Sequence, residues 1–274
     1  MQNPRIYGEP PFRVAVIHGG PGAGGEMAPV ALELSRRQGI LEPLQTASSL
    51  PGQVEELKSI LEEFADAPAT LIGFSWGAWL SFILAALHPD LVKKLVLVGS
   101  GPFMERYTPE ILPTRLGRLS EIEGDEVMRT LRMLEEDINA GMDAAQKDRA
   151  LARMGELLGK ADAFDPIPSR PEAICSAVPA CDASNAEIFQ GVWKDAAMMR
   201  HKDDLLALGK KIRCPVVAIH GSWDPHPDIG VKEPLQAALP DFRFVLLDEC
   251  GHMPWIEKKA RNRFYSILEK EIRL

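Results

Sequence analysis

"LIGFSWGAW", Leu71 to Trp79, decides how the rest of the chain is read. It joins a short apolar run, "ATLIGF" from Ala69 to Phe74, to a segment of helical spacing, Trp76 to Leu87. Gly73, Ser75 and Gly77 stand in the pattern G-x-S-x-G at that junction. A sharp strand-to-helix turn needs small residues two positions before and two after its apex, because strand and helix otherwise collide. The turn lifts the Ser75 hydroxyl clear of a sheet, and the helix amino terminus favours negative charge developing nearby. The stretch reads as a nucleophile elbow. The competing reading is a Gly-rich turn with a buried serine.

A serine hydroxyl is a weak nucleophile at neutral pH and needs a base that a third group orients. The expected base is His252, in "DECGHMPW", and the expected acid is Asp224, in "AIHGSWDPHP". Each follows a strand-like run, at the strand ends where open α/β sheets place their sites. If Asp224 only caps the next helix, Asp228 is the stand-in acid. His226 is expected to line the pocket rather than act as the base. His18, His88 and His201 read as structural or surface residues, and His220 as buried and satisfied within a strand.

Outward from this motif, apolar strand-like runs alternate with helical patterns. "FRVAVIH" (Phe12–His18), "KKLVLVGS", "CPVVAIHG" and "FRFVLLDE" join Ala69–Phe74 as strands, with "ILEPLQ" a weaker candidate broken by Pro43. Helical spacing covers Glu26–Gln38, Gln53–Ala65, Gly230–Leu239 and Trp255–Ile272. The alternation predicts an α/β fold, a mostly parallel sheet flanked by helices. Between about Pro102 and Gly209 no β run appears. Charged helical patterns over Asp125–Ala140 and Ala144–Lys160 and a proline-rich loop over Asp165–Pro179 fill that interval. The expected organisation is a core of residues 1–101 and 210–274 with an inserted all-helical cap at 102–209.

The chain has 274 residues, 46% of them apolar and 26% charged, and a formal net charge of −8. That charge argues against a nucleic-acid surface, which needs a basic patch. No apolar run approaches the length of a membrane span, and the amino terminus carries no apolar signal segment, so a cytoplasmic protein is expected. Cys175, Cys181, Cys214 and Cys250 form no C-x-x-C pair, which weakens a zinc or dithiol reading. The spacing of Cys175 and Cys181 raises a disulfide that the expected compartment disfavours. The partner to expect is a small-molecule substrate; the sequence leaves the oligomeric state open.

"VAVIHGGPGAGG" (Val14–Gly25) admits two chemistries. Gly20, Gly22 and Gly25 fit the G-x-G-x-x-G spacing of a dinucleotide-binding turn, and Glu42 lies about 20 residues on, where a ribose-binding acid would stand. Pro21 opposes this, since it lacks the N–H that a pyrophosphate cradle uses. The rival is an oxyanion loop beside Ser75.

"HGGPG" (His18–Gly22), "GFSWGA", "HPDLVKKLVLVGS", "HGSWD" and "GHMPWIE" resemble, in order and spacing, the signature segments of the α/β-hydrolase superfamily with a helical cap, and the likeness covers nearly the whole chain. The order Ser75, Asp224, His252 is that family's order. HGGPG paired with a tryptophan after the serine resembles prolyl iminopeptidases and their relatives. The resemblance implies that the N–H groups of Gly20 and Trp76 form the oxyanion hole, and it implies no metal or organic cofactor. It implies a serine hydrolase cleaving an ester or amide of a small molecule through an acyl-enzyme on Ser75. An iminopeptidase-like aminopeptidase is the alternative, with cap acids such as Glu187, Asp195, Asp203 and Asp204 as candidates to bind an ammonium group. A non-catalytic ligand-binding protein of this fold is the alternative from another class. Phe74, Trp79, Met253 and Trp255 are the candidate apolar substrate contacts. Family members usually carry an antiparallel hairpin before the first strand found here, so a sheet shorter at that edge is expected.

Overall fold

A computed structural model describes residues 3–135, 143–168 and 184–273. Its strands are β1 (Arg5–Tyr7), β2 (Phe12–Ile17), β3 (Gly39–Glu42), β4 (Ala69–Phe74), β5 (Val92–Val98), β6 (Val216–Gly221) and β7 (Phe242–Leu247). They form one sheet in the order β1-β3-β2-β4-β5-β6-β7, parallel throughout except for β1, which runs antiparallel to β3. At the edge expected to be short, three residues of β1 pair with Ile40, Leu41 and Glu42. Glu42 is fully buried there. It accepts the Tyr7 hydroxyl at 2.6 Å and faces the Arg5 guanidinium at 3.6 Å. Its carboxylate is therefore built into the sheet edge, which removes the ribose-binding role weighed from sequence.

Strand side chains alternate between faces, and the two faces carry separate cores. Ala15, Ile17, Leu71, Leu95, Leu97, Val216 and Ala218 pack on one side with α2 (Leu50–Phe64) and α3 (Trp76–Leu87). Val14, Val16, Ile72, Val96, Val98, Val217 and Ile219 pack on the other with α1 (Ala28–Leu34) and α10 (Arg261–Glu271). α2 begins three residues before the expected start, because Ser49 caps it, accepting from the Gly52 N–H at 3.2 Å, and Pro51 sits in its first turn. The closing helix begins at Arg261 rather than Trp255. Pro254–Ile256 forms a single tight turn instead.

Between β5 and β6 run α4 (Ile111–Gly117), α5 (Glu121–Glu135), α6 (Ala144–Asp162), α7 (Asn185–His201) and the one-turn α8 (Asp204–Ala207). α9 (Ile229–Ala238) follows β6. Val127, Leu134, Met154, Leu157 and Ala186 form a small core of their own, while Ile188, Val192 and Ala196 of α7 join the main core. Cys175, Cys181 and most of the proline-rich stretch lie outside the described residues. Among the described residues no helix is long and apolar enough to cross a membrane.

Two close approaches set the architecture around Ser75. A Cβ at Gly77 would lie 2.4 Å from the Ile17 carbonyl oxygen and 2.5 Å from that of His18; one at Gly73 would lie 2.2 Å from the Gly77 carbonyl oxygen. α3 can cross the ends of β2 and β4 only without those carbons. The second device is Glu257, fully buried, whose carboxylate accepts the N–H groups of Phe164 and Asp165 at 2.8 Å and of Gly251 at 2.9 Å. The Ile167 N–H adds a bond to the Ile256 carbonyl at 2.7 Å. The segment after α6 is thereby tied to the loop after β7.

Gly77→Ala is expected to cost about 3 kcal/mol or more, the upper end for forcing atoms into a packed interior. Gly155→Ala, on a helix with nothing within 4 Å of the added carbon, should gain about 0.5–1 kcal/mol. Urea midpoints of the two variants, moving in opposite directions, check both. Glu257→Ala strands three backbone N–H groups and should cost about 2–4 kcal/mol. Hydrogen exchange should speed up at Phe164, Asp165 and Gly251 specifically; unchanged protection there would contradict this role.

Candidate active site

Ser75 stands at the apex of the turn from β4 into α3 with φ 51° and ψ −113°. A non-glycine residue in the left-handed half of backbone space carries strain that the surrounding structure must hold. The holding bonds are local: the Ser75 N–H donates to the Val98 carbonyl at 2.9 Å, and the Ala78 N–H to the Ser75 carbonyl at 3.1 Å.

The loops after β6 and β7 bring the two other sequence candidates together. The His252 Nδ1–H donates to Asp224 Oδ2 at 2.7 Å, and both residues are buried. The His252 ring packs against Phe74, ring centroids 4.7 Å apart, which places the imidazole beside the elbow. The Ser75 hydroxyl makes no hydrogen bond among the described residues, so of the expected row of three groups the Asp224–His252 link is the one formed. Asp228 contributes only its carbonyl, to the Val231 and Lys232 N–H groups, and is no rival for His252.

Asp224 serves more imidazoles than expected. Its Oδ1 accepts from the His226 N–H at 2.9 Å and from the His226 Nδ1–H at 2.7 Å, and His220 Nε2 lies 3.6 Å from Oδ2. Burial opposes its ionisation, yet the three imidazoles outweigh that and hold its carboxyl well below the ordinary carboxylate range. Burial likewise works against a charged His252, but the Asp224 carboxylate prevails and raises its pKa. For His226 burial wins, and its pKa falls to about 4, leaving a neutral ring. His220 bonds the His226 carbonyl through Nε2 at 2.8 Å, while its buried Nδ1 has no partner, so the satisfied histidine expected from sequence is satisfied at one nitrogen only. His18 is structural: its Nε2 accepts from the Gln45 N–H at 3.1 Å and its Nδ1–H donates to the Gly19 carbonyl at 2.8 Å.

Gly20 has φ +106°, a conformation open to glycine. Neither its N–H nor that of Trp76 has an acceptor among the described residues. Of the candidate substrate contacts, Phe74, Trp79 and Trp255 are at most 5% exposed. Phe74 is packed between His252 and Trp255, and Trp79 donates its Nε1–H to the Gly101 carbonyl at 3.1 Å. These three are interior residues that support the site. Met253 is partly exposed and faces Gly159 of α6 across 3.9 Å from a Cβ position there.

The acids weighed for an ammonium group are engaged in local structure or exposed. Glu187 completes the capping box of α7 with Ser184, Asp195 accepts the Leu50 N–H at 3.3 Å, and Asp203 and Asp204 open α8 on the surface. Sequence reasoning missed the charged groups that do surround the site. Glu26 accepts the Gly19 N–H at 3.2 Å, and burial lifts its pKa to about 7 against the nearby His252. Asp162, at the end of α6, takes Arg115 bidentately at 2.8 and 2.7 Å and offers its carbonyl to the His252 N–H at 2.9 Å. Arg118 donates to the Ala161 and Trp223 carbonyls and covers the Trp223 ring at 4.2 Å. Arg115 lies 47 residues from Asp162, and Arg118 lies 43 from Ala161 and 105 from Trp223, so these pairings leave no local pattern to read.

A profile described as the alpha/beta hydrolase fold matches residues 21–259. The pimeloyl-[acyl-carrier protein] methyl ester esterase of Chromobacterium violaceum is 26% identical over 254 residues, spanning 89% of this chain and 88% of that protein. The enzyme of the same name from Aromatoleum aromaticum is 26% identical over 201 residues, 72% of each chain. Among solved structures, that of VinJ superposes with a TM-score of 0.66 at 17% identity, covering 98% of this chain and 93% of that one.

Proposed function

The chain belongs to the alpha/beta hydrolase family, and we propose that it is a serine hydrolase of carboxylic esters, working through an acyl-enzyme on Ser75. The observation that carries this reading is the 2.7 Å bond from His252 to a buried Asp224, made beside a strained serine turn. In the first step Ser75 Oγ attacks the ester carbonyl carbon while His252 Nε2 takes the hydroxyl proton. The N–H groups of Gly20 and Trp76 receive the charge that develops on the carbonyl oxygen, each worth roughly 3 kcal/mol in such a role. Asp224 keeps the proton on Nδ1, so that Nε2 is free to act, and stabilises the imidazolium. His252 then returns the proton to the departing alcohol. Water, deprotonated by the same nitrogen, releases the acid.

Ester rather than peptide cleavage is favoured on two counts. The curated relatives are named for a methyl ester, and the cap acids that would hold a peptide's ammonium are spent on helix caps, a backbone bond and the surface. The described helices between β5 and β6 act as the cap over the site, with Met253 and Gly159 meeting on its underside.

Ser75→Ala and His252→Ala should each abolish turnover of p-nitrophenyl acetate while circular dichroism stays that of the parent. A fluorophosphonate probe should label the parent and not Ser75→Ala; an unlabelled, folded parent would instead mark a ligand-binding protein. Proline p-nitroanilide should be cleaved far more slowly than the ester, and the reverse ranking would restore the aminopeptidase reading. Because the neutral imidazole is the working base and its pKa is raised, kcat/KM should fall toward acid pH with a midpoint above 6.5, the ordinary imidazole value. Asp224→Asn should lower kcat by about 10⁴, the scale set by losing the required tautomer.

A further inference from the structure

We propose that Asp224, His226 and His252 form a reversible binding site for a divalent transition metal of the zinc type, and that its occupation switches the hydrolase off. The inhibitory half of this inference rests on the catalytic reading above; the binding half does not.

An aspartate–histidine pair alone offers a metal two ligands. Here the tripeptide Asp224-Pro225-His226 turns back on itself and supplies a third. One ligand atom from each of Asp224, His226 and His252 lies within 4.8 Å of the other two, the one such group among the described residues. The two Nδ1 atoms each lie 2.7 Å from a different oxygen of the same carboxylate, and the rings stand 4.7 Å apart with a 35° tilt. Ligand atoms in a tetrahedral zinc site stand about 3.3 Å apart, with zinc–nitrogen bonds of about 2.0 Å, so modest side-chain rotations close the gap. Two imidazoles and a carboxylate suit zinc, copper or nickel, whereas magnesium prefers oxygen and water. Three protein ligands with a fourth position left open is also the count found where zinc exchanges its last ligand. His220, 3.6 Å from Asp224 Oδ2, backs the carboxylate from within the sheet.

Inhibition follows from the proton positions. Without metal, each Nδ1 carries the proton shared with Asp224. A metal needs the lone pair at that nitrogen, so each neutral ring moves its proton through solvent to Nε2, and the metal replaces two hydrogen bonds with no net release of protons. His252 then bears N–H on the atom that must accept the Ser75 proton. The base is blocked while the serine is untouched.

The test uses the full chain, stripped with EDTA and titrated with zinc chloride in a non-coordinating buffer. Calorimetry on Ser75→Ala should show one zinc per chain. Turnover of p-nitrophenyl acetate by the parent should fall with the same midpoint, recover on adding EDTA, and be insensitive to magnesium at equal concentration. His226→Asn keeps an N–H directed at Asp224 but has no ring nitrogen, and should weaken both readings by more than about tenfold, the scale on which even outer-shell changes act. On the unaltered chain, zinc should shift the ring resonances of His226 and His252 together and leave His88 and His201 in place. No binding by Ser75→Ala, binding unchanged in His226→Asn, or resonance shifts confined to other histidines would overturn the proposal. If Ser75→Ala keeps the parent's esterase rate, the catalytic reading fails while the calorimetry still decides the metal site.

Discussion

Two missing side chains hold this site together. The carbonyls of Ile17 and His18 lie so close to Gly77, and the Gly77 carbonyl so close to Gly73, that neither glycine can carry a carbon. Because α3 can start that near the ends of β2 and β4, the backbone at Ser75 is driven to a positive φ, and the serine is raised at the carboxyl edge of the sheet. The loops after β6 and β7 reach that same edge. The ring of His252 and the carboxylate of Asp224 meet beside the elbow because the parallel strands that precede them end on that side together.

Asp224 is the electrostatic counterpart of that steric constraint. A fully buried carboxylate would ordinarily resist ionisation; three imidazoles make the charged form the favoured one. The cost is that the charge is shared. His226 takes one oxygen and His252 the other, so neither imidazole has the carboxylate to itself. Arg115, paired with Asp162 at the end of α6, adds a cation whose field reaches Asp224 and opposes protonation of His252. The helices between β5 and β6 thus act on the chemistry as well as on the shape of the site.

What was legible in the sequence was whatever chemistry forces into a local pattern. Ser75 between two glycines, Asp224 after β6 and His252 after β7 could be read because each must follow a strand directly, and the alternating apolar runs gave the parallel sheet. β1 escaped because three residues show no period. The true start of α2 was hidden in Ser49 and Pro51, and that of α7 in the Ser184–Glu187 capping box, both legible to an eye set for caps rather than apolar spacing. Glu26, Arg115 and Asp162 were missed for another reason: their meaning comes from neighbours distant in the chain. Phe74, Trp79 and Trp255 show the converse, since nearness to a motif in sequence put them beneath the site and not on its surface.

Glu257 has a bearing on how such a molecule can change over evolution. Its carboxylate grips the segment leaving α6 and the loop that carries the imidazole, so inheritance of the one is bound to inheritance of the other. A chimera that grafts a foreign segment over residues 162–167 onto this scaffold would have to import the donor's counterpart of residues 250–258 as well. Diversification is freer on the exposed face of α5, whereas α7 is held in the main core by Ile188, Val192 and Ala196.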